Sequence, residues 1–118
     1  MTTDPFANAL ERLKRRVDET VAQCERFDLL TDEVREWARF WTVTSIRRWM
    51  ESKERSVAEL ERALVALALS PTEQAGHILE EYDPDGQGET HRLFHQIARL
   101  EWERRALPWE DPWDHRAA

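Results

Sequence analysis

From Pro5 onward, apolar residues recur at intervals of three and four, the period of an amphipathic helix, and no stretch alternates as a strand does. Phe6, Leu10, Leu13, Val17, Val21 and Cys24 fall on one narrow stripe of coiled-coil type, with Pro5 at the tolerated first helical position and Thr3 or Asp4 as its cap. Leu29 and Leu30 close a connection, and Thr31 with Asp32 and Glu33 opens a second predicted helix over residues 31–52. Val34, Trp37, Ala38 and Trp41 share one face of it, while Phe40, Val43, Ile46, Trp49 and Met50 spread around the rest. A helix apolar on most sides is central in its bundle or lies against another chain.

Ser56 followed three residues later by Glu59 is a capping box, and it starts a third helix to about Leu69 that includes the small apolar run "ALVALALS". Ser70-Pro71-Thr72-Glu73 reads as a second box, opening a fourth helix that runs to about Tyr82 and buries Ala75, Ile78, Leu79 and Tyr82. A fifth spans residues 89–106, with Leu93, Ile97 and Leu100 as its core stripe. The expected fold is therefore all-α: a bundle of four to five helices, a long N-terminal antiparallel helix pair, and no β-sheet. Residues 1–106 form one helical domain, and residues 107–118, "LPWEDPWDHRAA", form a non-helical tail with two prolines and two tryptophans.

Charge narrows the partners. The net charge of −7 resides entirely in the second half: residues 1–55 balance 11 acids with 11 Lys/Arg, whereas residues 56–118 carry 13 acids and 6 bases. Nucleic acid and anionic membranes are bound chiefly by Lys/Arg against phosphate, so neither is an expected partner. The tight pair of third and fourth helices could suggest a helix-turn-helix, but residues 71–82 have no Lys or Arg and carry Glu73, Glu80 and Glu81. Arg12, Arg15 and Arg16 are diluted by Glu11, Asp18 and Glu19. No apolar run reaches the roughly 18–20 residues of a membrane span, and the N-terminus lacks a signal-peptide pattern. A single cysteine, Cys24, points to a reducing cytoplasm; on the core stripe it is expected to be inert.

The segment "YDPDGQGETHRLFH" (82–95) concentrates the candidate chemistry. Counted from Asp83, an EF-hand would find Asp85 at position 3, Gln87 at 5 and Gly88 at 6, but position 12 is Phe94, so the bidentate carboxylate is missing. The same residues make an ordinary turn. His91 and His95, one helical turn apart, share a face and could chelate a divalent transition metal with Asp83, Asp85 or a neighbouring carboxylate as further ligands. Against this, His91, His95, Ala98 and Trp102 form a line that reads as a second, partly buried packing face opposite the leucine stripe. No phosphate loop, nucleophile elbow or H-E-x-x-H is present, and no catalytic activity or cofactor is expected.

The expected function is a small acidic cytoplasmic interaction protein, accessory or regulatory and non-enzymatic, acting as a homodimer on a protein partner. Its expected contact residues are Trp37, Phe40, Trp41 and Trp49 of the second helix and Trp109 and Trp113 of the tail. The alternative is a metal-binding helical protein built on the His91/His95 pair.

Overall fold

A computed structural model describes residues 4–52 and 55–106. The described residues form five helices: α1 (Pro5–Ala38), α2 (Val43–Glu51), α3 (Val57–Leu69), α4 (Glu73–Glu81) and α5 (Glu89–Ala106). Among the described residues there is no strand, and no helix is long and apolar enough to cross a membrane.

The boundary expected at Leu29 and Leu30 is not there. α1 runs through it for 34 residues, about 50 Å at 1.5 Å per residue. The physical reason is the use of Thr31. Its hydroxyl donates to the Phe27 carbonyl one turn back, at 2.9 Å, and so does not cap a new helix. The chain instead turns at Arg39 to Trp41, where the Phe40 and Trp41 amides reach back three residues to the Trp37 and Ala38 carbonyls. Thr42 then caps α2, accepting from the Ser45 amide at 3.1 Å. The predicted helix of residues 31–52 is thus divided between the end of α1 and all of α2. α1 packs on α3 and α5, whereas α2 packs on α3 and α4, so these two helices do not form the long antiparallel pair.

α3 is the central element, with Ala63 through Ala68 all buried. The Ser56–Glu59 capping box forms at its start in both directions. The cap of α4 is Thr72, two residues later than expected; its hydroxyl accepts from the Ala75 amide. Around α3 the core is completed by Phe27 and Val34 from α1, Ile46 from α2, Ala75, Ile78 and Leu79 from α4, and Phe94, Ile97 and Ala98 from α5. Phe27 and Phe94 meet with ring centroids 6.0 Å apart, joining α1 to α5.

One ion pair crosses the α1–α3 interface in the interior. Glu61 is only 2% exposed, and its carboxylate lies 2.7 Å from the Arg26 guanidinium. No donor hydrogen is aimed at that oxygen, so the contact is close without being an aligned hydrogen bond. Burial outweighs the attractions of Arg26 and Arg62, and the Glu61 carboxyl is held above its usual range.

The stripe expected to be core is not buried. Every residue from Asp4 to Ala22 is exposed, including Phe6, Leu10, Leu13, Val17 and Val21, and Cys24 is exposed as well. Where α1 passes the start of α5, it presents Arg16, Glu19, Thr20 and Gln23. The apolar stripe occupies another face. Only from Phe27 onward does α1 turn buried side chains to the bundle.

Candidate functional site

α5 meets its neighbours through the line of residues read as a secondary face, and that line is the principal one. His91 and His95 are buried and Ala98 is wholly so, while Leu93 is half-buried and Leu100 is 63% exposed. The reason lies in the helix ends that this face meets. The last carbonyls of a helix have no partner within it. His95 Nε2–H donates to the Leu79 carbonyl in the last turn of α4, at 2.6 Å. The Trp102 indole Nε1–H is shared between the carbonyls of Ser70 and Thr72, at 3.0 and 3.2 Å, in the turn from α3 to α4. His91 Nε2 is 2.7 Å from the Tyr82 hydroxyl at the C-cap of α4. The ring nitrogens of His95 and Trp102 thus give partners to backbone carbonyls at the end of α4 and in the α3–α4 turn, and that of His91 pairs with a side-chain hydroxyl.

The geometry does not bring the four expected metal ligands together. The Nε2 atoms of His91 and His95 are both engaged as described. Asp83 accepts from the Asp85 amide at 2.9 Å, and Asp85 pairs with Arg92 at 2.6 Å. Gly86 and Gly88, with φ of 91° and 99°, and a Gln87 amide donating to the Pro84 carbonyl complete a turn. Among the described residues, no group of three or more His, Cys, Asp or Glu could hold a metal ion.

Burial, and then the charge of His95, pushes the His91 pKa down; burial likewise pushes His95 down, against the raising effects of the Leu79 carbonyl and Asp83 and with a further lowering by Arg99. Both rings are therefore kept neutral in the fold but take up protons at their ordinary value of 6.5 once unfolded. The stability they confer is complete above that value and is lost as the pH falls below it. The melting temperature is expected to drop between about pH 7.5 and about pH 5.5, and to drop less in His95→Gln, whose amide can donate to Leu79 without titrating. Equal pH slopes in the two proteins would contradict this assignment.

The aromatic residues expected to bind a partner divide into two kinds. Trp37 and Trp41 stack at 4.9 Å, Trp49 meets them edge-on at 5.5 and 6.3 Å, and Arg55 lies 4.3 Å above the Trp49 ring. These three cover one another and pack on the core, each half-buried. Phe40, in the turn beside them, is 86% exposed. Trp109 and Trp113 lie outside the described residues. Among the described residues, the largest run of uncovered apolar side chains is instead the stripe of α1, from Phe6 at 70% exposed to Val21 at 49%. Cys24 at its end is a thiol pushed up by partial burial and by the charges of Asp28 and Glu101, an environment that opposes nucleophilic thiolate.

The stripe was legible as a helical face, but its exposure was not. Arg16, Thr20 and Gln23, on the face turned to α5, held the signal that this end of α1 meets its neighbour through polar groups. Fold and surface together define an all-helical bundle that carries a projecting amphipathic helix. No family model, curated protein or solved structure matches the chain.

Proposed function

We propose that this chain is a non-enzymatic accessory protein that binds another polypeptide through the apolar stripe of α1 in a reducing cytoplasm. The observation that carries this reading is the joint exposure of Phe6, Leu10, Leu13, Val17 and Val21 on one face of a helix whose first turns extend beyond the bundle. Their exposed area is on the order of 500 Å², within the roughly 300–600 Å² of the largest patch on a typical monomer, which is often functional. An amphipathic helix with anchors at such intervals recognises a groove or another helix. Phe40, exposed beside the tryptophan cluster, is a second and smaller contact point.

A photo-crosslinking residue placed at Leu13 in cells is expected to give a discrete adduct with a polypeptide. The same residue at Arg15, on the opposite face, is expected to give none. Equal labelling from both positions, or none from Leu13, would remove the stripe as a binding surface.

A further inference from the structure

We infer that the cleft where α1, α3 and α5 end receives the chain's own segment Trp109 to Trp113, with Trp109 on its apolar floor and Glu110 and Asp111 on its arginines. This does not depend on the reading of the α1 stripe, which occupies the opposite end of that helix. The cleft, of about 360 Å³, is lined by Arg35 near the end of α1, by Arg39 at its C-cap and by Arg105 of α5. Among the described residues no acidic side chain lines it. The floor is apolar, formed by Trp41, Val43, Ile46 and Leu69.

The first argument is charge. Arginines in the last turn of a helix complement its dipole, and the three helix ends here supply about half a negative charge each. Three guanidinium groups exceed that sum, and their own ion pairs leave an excess in place. Arg39 meets Glu36 only at 3.8 Å, and Arg105 shares a single Glu101 oxygen with Arg104. Among the described residues Arg35 has no carboxylate partner. In a chain of net charge −7 this is a site for an anion with an apolar part.

The second argument is composition and reach. Residues 107–118 carry Glu110, Asp111 and Asp114 against Arg116 alone, with Trp109 and Trp113 between them. Trp109 follows Arg105 by four residues, at most about 14 Å of extended chain. Pro108 disfavours helical backbone at Leu107, which favours departure from the α5 axis beside the cleft. A tether this short holds the segment at roughly millimolar effective concentration. An acidic peptide from another protein has the same chemistry but must displace it. The indole supplies the buried area, whereas exposed ion pairs add little affinity and instead fix which side of the segment meets the cleft.

The tests use the full chain. A photo-crosslinking phenylalanine analogue at Trp109, illuminated in dilute protein, is expected to form adducts on Trp41, Val43 or Leu69 of the same chain. Arg35→Glu with Arg39→Glu is expected to cut their yield several-fold while the helical circular dichroism is retained, and adding Glu110→Arg with Asp111→Arg to restore it. A synthetic peptide of residues 107–118 is expected to bind Trp109→Ala/Trp113→Ala about ten-fold more tightly than the wild-type chain, whose own segment competes. Adducts on a second copy, adducts spread along α5 away from the cleft, or a yield indifferent to charge reversal would each overturn the segment as occupant. Equal peptide affinities for the two proteins, or binding to neither, would do the same.

Discussion

Gly76→Ala is expected to destabilise the protein by about 2 kcal/mol and to lower its melting temperature by roughly 8 °C. The sign is what makes the experiment informative. Gly76 lies inside α4, where helix propensity alone favours alanine by about 1 kcal/mol. A Cβ at this position, however, would fall inside the van der Waals envelope of the Trp102 ring. The indole cannot withdraw without releasing the carbonyls of Ser70 and Thr72, which hold it in place. In a Trp102→Ala background the obstruction is gone, and Gly76→Ala is expected to become stabilising. Thermal denaturation of the four proteins of this cycle measures the coupling. Independent effects of the two substitutions would show that Trp102 does not depend on the glycine for its seat.

Phe94→Ala is expected to destabilise the protein by about 3–5 kcal/mol. Phe94 is wholly buried on α5 and contacts Phe27 of α1, so its removal opens a cavity at the junction where α1 leaves the bundle. Leu93→Ala, one residue away and half-buried, is expected to cost less than half as much. Urea denaturation of both variants checks the ranking; similar midpoints would mean that the junction collapses around the smaller side chain.

The helical class and three of the helix starts were legible because their signals are local. Asp4 accepts from the Phe6 amide, Ser56 and Glu59 close their box, and the limits of α5 fall where expected. What was not legible depends on partners distant in sequence. Thr31 looks like a cap until its hydroxyl is seen bonded to Phe27. His91 and His95 read as metal ligands or as a partly buried packing face, and only the C-terminal turn of α4 beneath them decides for burial. Leu100 and Val17 have the spacing of core residues, but spacing does not say whether another helix stands opposite. Glu61 is the exception: Val57, Leu64 and Val65 at helical intervals share its face, so the sequence itself places a carboxylate where it must be buried and paired.

The continuity of α1 through Thr31 bears on how the stripe is presented. A separate helix of the length from Pro5 to Ala22 would be marginal in water, because starting a helix costs far more than extending one. Here the nucleus is supplied by the docked turns from Phe27 to Val34, which the core holds in helical form. Each residue toward Pro5 is then an elongation step on an existing template, with Asp4 closing the far end. The stripe is therefore shaped before anything binds it, and an arriving partner meets a surface whose ordering entropy has already been met within the fold.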